Sequence, residues 1–134
     1  MNNFAVLLKD QGKMDEAKAM YERALQGREK ALGSDHPDTL STMNNLAGLL
    51  SGQGKMDEAK AMYERALRGF EKALGPEHPD TLGTVDNFAA LLMDQGKMDE
   101  AKAMYERALQ GYENALGPNH AYTRITRKNL ATLS

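Results

Sequence analysis

The chain contains no cysteine, so disulfides and thiolate chemistry are excluded, and the redox compartment cannot be read from it. It has no run of about 18 apolar residues, so no membrane-crossing helix is expected. Neither sign of charge prevails. Seventeen Lys+Arg stand against 19 Asp+Glu, a formal net charge of −2, with the signs interleaved along the chain. The basic stripe of a nucleic-acid binder is missing, and so is any acidic or basic tail. The opening MNNFAVLLKD lacks the basic flank and apolar length of a secretion signal. No Gly-rich phosphate loop, nucleophile elbow or HExxH motif occurs. The expectation is a soluble cytoplasmic protein of one domain, not an enzyme, with no catalytic residue, cofactor or metal ligand. At 134 residues it is long enough to bury a useful core.

What is present is repetition. QGKMDEAKAMYERAL at 11–25 returns unchanged at 53–67 and at 95–109. A catalytic centre needs one copy of each group in one place, whereas literal repetition suits a building part. The period is 42, and residues 1–42 match 43–84 at 33 of 42 positions. Self-similarity at such a spacing marks a stacked array. Repeat 1 covers about 1–35 and lacks the start of its first helix. Repeat 2 covers about 36–77, repeat 3 about 78–119, and a terminal helix about 120–134.

Each period encodes two helices. The first runs from Pro37 to Ser51, with Leu40, Met43, Leu46, Ala47 and Leu50 at three- and four-residue spacing as one buried stripe. Pro37 suits a first helical position and Asp38 complements the helix dipole. Gly54 supplies a left-handed stop. The second helix begins near Asp57 and Glu58 and runs to Leu74, with Ala59, Met62, Tyr63, Ala66 and Ala73 inward, and Gly75-Pro76 ends it. The fold class is all-α: a right-handed α-solenoid of antiparallel helix pairs, seven helices in three repeats plus a terminal helix.

The run Asn-Leu-Ala-x-Leu-Leu-x-x-Gln-Gly-Lys-x-x-Glu-Ala-x-x-x-Tyr-x-x-Ala-Leu at 45–67 resembles the tetratricopeptide repeat. Leu-Gly-x-x-His-Pro-x-Thr-Leu at 74–82 resembles its 42-residue variety, found in kinesin light chains and nephrocystin-like proteins. Near-identical tandem copies are also similar to arrays in some fungal and bacterial signalling receptors. The resemblance covers essentially the whole chain. For function it implies a binding scaffold.

Three features depart from the family pattern. Gly27, Gly69 and Gly111 stand inside the second helices, where close packing or a slight bend is expected of them. The last copy reads HAYTR where the others read HPDTL, and Arg127 replaces Met43 and Val85, which makes the terminal helix a polar cap. The copies are also alike enough for recent duplication or a consensus-built array.

Substitutions between copies collect in the first helices. Aligned positions read Ser41, Gly83, Ile125; Asn2, Asn44, Asp86, Lys128; Val6, Gly48, Ala90, Thr132; and Lys9, Ser51, Met93. Their three- and four-residue spacing places them on one face, roughly opposite Leu46 and Leu50. That face is either a recognition surface or an unconstrained solvated one. In the resembled family it lines the concave groove that holds a partner peptide. The candidate contact residues are Asn2, Val6, Lys9, Ser41, Asn44, Gly48, Ser51, Gly83, Asp86, Ala90, Met93 and Lys128. The unchanging Asn3, Asn45, Asn87 and Asn129 read as structural. Only Lys9 and Lys128 are cationic on this face, with Asp86 between them, so a clamp for a C-terminal carboxylate is not expected.

Other clusters have plainer readings. His36, His78 and His120 recur one repeat apart, too far for a shared zinc ion, and suit turns or helix caps. Six of the nine methionines lie in the repeated word and read as core. Arg28, Phe70 and Tyr112 form a varied column that either edges the groove or fills space between repeats. The Asp-Glu pairs at 15–16, 57–58 and 99–100 are adjacent, so they point to different sides of a helix and form no acid/base pair. The partner is a protein or peptide. A rival reading is self-assembly through repeat ends, with the array part of a larger receptor.

Overall fold

The computed structural model describes residues 13–133. Six α-helices and no strands occur among them: α1 (Met14–Leu32), α2 (Pro37–Gly52), α3 (Met56–Leu74), α4 (Pro79–Asp94), α5 (Met98–Leu116) and α6 (Ala121–Ala131). The seventh helix expected from sequence, at the start of repeat 1, lies outside the described residues. The chain divides into two compact units, Met1–Gly69 and Phe70–Ser134.

Every first helix starts on the same local chemistry. His36, His78 and His120 hold extended backbone at the N-cap, and each Nδ1 accepts the amide N–H two residues on, at 3.1 Å. This satisfies one of the donors that a helix start leaves orphaned. Pro37 and Pro79 follow in the first turn, and Asp38 and Asp80 face the positive end of the dipole. The histidines are therefore caps, as their place before proline suggests. His78→Ala is expected to lose about 1 kcal/mol, the usual worth of an N-cap. His78→Asn, which restores a short acceptor, should recover most of it, as urea midpoints of the three proteins will show.

A second device was not anticipated. Thr39, Thr81 and Thr123 are fully buried, and their Oγ1 atoms donate to the carbonyls of Gly33, Gly75 and Gly117 at 2.8 Å. Each bond ties the end of one helix to the start of the next. Its signal in the sequence is a threonine three residues after every histidine. The turn also requires Gly75 to take φ +94°, a region side chains avoid, and Gly54 does the same at φ +81° after α2.

The stripe expected on the first helices is present. Leu40, Met43, Leu46, Ala47 and Leu50 are buried on α2, joined by Leu49, and Leu82, Val85, Phe88, Ala89, Leu91 and Leu92 repeat the pattern on α4. The second helices need correction. Ala59, Tyr63, Ala66 and Phe70 form the buried row of α3, but Met62 is half-buried and Ala73 exposed. Met62 sits at the edge of a row set by spacings of four, three and four, and Ala73 lies in the last turn, past its end. The methionines of the repeated word are not core either. Met20 is 37% exposed, Met98 is 48% exposed, and Met14, Met56, Met62 and Met104 are half-buried. Phe70 and Tyr112, by contrast, are buried, which makes them fillers.

Within unit 1, Leu40 at the start of α2 meets Gly69 late in α3, while Gly48 near the end of α2 meets Tyr63. Start against end is an antiparallel pair. In unit 2, Leu82 and Gly111 repeat it between α4 and α5. The mid-helix glycines at 69 and 111 thus serve close packing. Ion pairs join the second helices within each unit, Arg65 to Glu29 at 2.6 Å and Arg107 to Glu71. These pairs are partly exposed and contribute modestly.

Helix α6 differs from α2 and α4 as its sequence implies. Arg124 and Arg127 occupy the places of Leu82 and Val85, and its buried residues are Thr123 and Thr126. The Arg127 guanidinium donates to the Pro118 carbonyl at 3.1 Å and lies 3.6 Å from Glu113. Among the described residues, no helix is long and apolar enough to cross a membrane.

A variable face on the first helices

The candidate residues sit on α2 in unit 1 and on α4 and α6 in unit 2, while Asn2, Val6 and Lys9 lie outside the described residues. On α2, Ser41, Asn44, Gly48 and Ser51 are half-buried rather than open. A Cβ at Gly48 would stand 3.4 Å from the Tyr63 hydroxyl oxygen, an ordinary contact, and Ser51 Oγ donates to Met56 Sδ at 3.8 Å. The variable face of unit 1 therefore borders the polar tip of a buried tyrosine.

In unit 2, Gly83, Asp86, Ala90 and Met93 are likewise half-buried, and Lys128 is exposed. Gly83 stands near the Tyr112 hydroxyl, which a Cβ would approach to 3.8 Å. Asp86 forms the centre of the cluster. Its Oδ2 accepts from Thr126 Oγ1 at 2.8 Å, linking α4 to α6, while its Oδ1 is buried with no hydrogen-bond partner. Burial pushes the Asp86 carboxyl up to about 6, and the Thr126 bond pulls the other way. Tyr105 and Tyr112 on α5 are both raised, first by their own burial and then by the negative charge of Asp86. Thus Asp86, Thr126 and two phenols are brought together, and Lys128 is not among them.

Lys128, the counterpart of Asp86 one repeat later, lies on α6. With Ala121, Arg124 and Ile125 it lines a cavity of about 410 Å³ on the outer side of α6. Ile125 is 56% exposed there, and Tyr122, 52% exposed, leans on the rings of His120 and Tyr112. A second cavity in unit 2, about 570 Å³, opens at the Gly75–His78 turn, floored by Leu74 and Leu82 and rimmed by Glu77 and Arg107. Unit 1 has one of about 390 Å³ with Lys18, Glu22, Glu58 and Arg65 around Leu46 and Leu50. Sequence reasoning missed all three, and the latter two depend on which helices meet.

Helix pairs repeated with a common cap, clamp and close-packing site define an all-α helical-repeat protein. The sequence profile of the tetratricopeptide repeat matches residues 1–72, 42–84 and 81–133. The chain belongs to the tetratricopeptide repeat family. No curated protein matches it significantly.

Among solved structures, it is similar to a Podosopora anserina chain described as kinesin light chain with nearly identical TPR-like repeats. That match has 24% identity and a TM-score of 0.88, covering 98% of this chain and 63% of the other. A variant of the same protein gives 25% identity, a TM-score of 0.87, and coverage of 98% and 62%. BtubC (BKLC) from P. vanneervenii gives 27% identity, a TM-score of 0.84, and coverage of 96% and 51%. The chain therefore spans between about half and two thirds of the length of these neighbours. They place it with the kinesin-light-chain type of array.

Proposed function

We propose that this chain is a non-catalytic protein-interaction scaffold that holds a peptide segment of a partner against the variable face of its first helices. One observation carries the reading. Fifteen-residue words are preserved letter for letter, while differences gather at one register of α2, α4 and α6. Preserved positions include the histidine caps, the threonine clamps and the buried Ala59, Tyr63 and Ala66 of α3 with their counterparts Ala101, Tyr105 and Ala108, where any change alters packing. On α2 and α4 the register that varies is half-buried and edged by tyrosine hydroxyls, a mixture of apolar and polar groups suited to an extended or helical segment.

A second reading, self-assembly, draws on the outer side of α6. Ile125 is exposed there, and Arg124 and Lys128 have no ion-pair partner among the described residues. A displayed-peptide selection separates the two. It is counter-screened on a variant carrying Asn44→Ala in unit 1 and Met93→Ala in unit 2. Peptides enriched on the wild type alone are the expected result. Equal enrichment on both proteins, or none, would remove the recognition face. A molecular mass that rises with concentration would then favour assembly.

A further inference from the structure

Asp86 is the only carboxylate among the candidate contact residues, and it carries its charge against the grain of the fold. One oxygen is held by Thr126, and the other is buried without a partner. The aligned residue one repeat earlier is Asn44, of nearly the same shape and uncharged. Elsewhere the described repeats keep histidine-capped first helices, glycine stops and apolar rows, and the other buried unpartnered side-chain oxygens belong to the neutral amides of Gln53 and Gln95. A group that weakens the fold, at the register where copies differ, is where function overrides stability.

Resting on the reading of this face as a recognition surface, we propose that Asp86 receives the ammonium or guanidinium of a lysine or arginine in the bound segment. The described groups around it are neutral or acidic. From α5, the phenols of Tyr105 and Tyr112 face the carboxylate's field, and from α6 comes the Thr126 hydroxyl. The same tyrosines sense Asp80 and Asp94 of α4, so the local charge is negative. Among the described residues, no cation is paired with it. Arg127 is engaged by Glu113 and the Pro118 carbonyl, while Arg124 and Lys128 line the outer cavity of α6.

Because Asp86 is half-buried, its carboxylate lies beneath the surface, and the group that meets it must be long and thin. Lysine and arginine carry their charge at the end of such a stem.

The probes are the peptides enriched on the full array, resynthesised with each Lys or Arg replaced in turn by norleucine or by the short amine 2,3-diaminopropionate. Affinities are measured on the wild type and on Asp86→Asn, at about pH 7.5 and about pH 5. At one position, norleucine should lower wild-type affinity by about ten- to a hundredfold, the worth of a hydrogen bond to a charged group. The same change should have little effect on Asp86→Asn, and the short amine should not substitute. Wild-type affinity should fall toward the lower pH as the carboxylate is protonated, and that of Asp86→Asn should not. Equal losses on both proteins, or tight binders without a basic residue, would overturn this inference and leave the recognition face standing. An empty selection would overturn the face and this inference with it. Helical circular dichroism of Asp86→Asn confirms that a loss of binding is not a loss of fold.

Discussion

Asp86→Asn raises the stability of the array at neutral pH by about 1–2 kcal/mol, read as a rise of roughly 3–6 °C in the thermal midpoint. The carboxyl titrates at about 6 in the fold against an ordinary value of 3.8, chiefly because burial disfavours its charge. That gap bounds the effect at about 3 kcal/mol, and partial exposure of the residue reduces it.

The sign follows from proton uptake. Below 3.8 both folded and unfolded chains hold the proton and the fold has its full stability from this group. Between that value and about 6 only the folded chain holds it, so stability is lost as pH rises through this window. Above it, the ionised group weakens the fold by a constant amount. Asparagine keeps an oxygen for the Thr126 hydroxyl and removes the charge. The lower end of the estimate allows for amide hydrogens left without an acceptor. Denaturant midpoints of both proteins at about pH 7.5 and about pH 4.5 test this. The advantage of the variant should shrink toward the lower pH. An equal advantage at both, or a less stable variant at neutral pH, would show that charge is not what weakens this site.

Much of the fold was legible because repetition multiplies every local signal. His-Pro-Asp marks a helix start in repeats 2 and 3, and His36 and His78 are indeed N-caps. Leu40, Met43, Leu46, Ala47 and Leu50 were readable as a stripe because α2 presents one strongly apolar face. Helix α3 was harder. Its buried row depends on small residues, and alanine is as common on its exposed side, so periodicity did not separate Ala73 from Ala59. Met62 and Met98 read as core by composition, yet they lie at the row's edge and at a helix start.

The variable register could be located from differences between copies, but its depth could not. Asp86 reads from sequence as a surface contact. Its burial comes from packing α4 against residues some 20 and 40 positions later, such as Tyr105 and Thr126. The Thr39, Thr81 and Thr123 clamps were missed for a different reason. The repeated letter was visible, but its partner is a backbone carbonyl, which no side-chain pattern reveals.

The three aligned mid-helix glycines are expected to respond to the same substitution with opposite signs. Gly27→Ala should stabilise by up to about 1 kcal/mol, the ordinary gain when alanine replaces glycine inside a helix. Among the described residues, nothing stands within 4 Å of a Cβ placed there. Gly69→Ala and Gly111→Ala have the same intrinsic gain, yet should destabilise by about 1–3 kcal/mol, the usual penalty of overpacking. A Cβ at Gly69 would meet Leu40 Cδ1 at 2.9 Å, and one at Gly111 would meet Leu82 Cδ2 at 2.6 Å. Leucine methyl groups move easily on a surface, but Leu40 and Leu82 are each 1% exposed, so their neighbours deny them another rotamer.

The contrast is not one of helix propensity, since the flanking letters Ala-Leu-x-Gly are shared by all three sites. It lies in the leucine that stands 29 residues earlier, Leu40 for Gly69 and Leu82 for Gly111. A double-mutant cycle isolates that contact. Leu82→Ala alone should lose about 2–5 kcal/mol through the cavity it leaves. Adding Gly111→Ala to it should then cost nothing or recover stability, because the Cβ enters vacated space. If the two losses simply add, the glycine is not there for the leucine, and its recurrence reflects duplication alone.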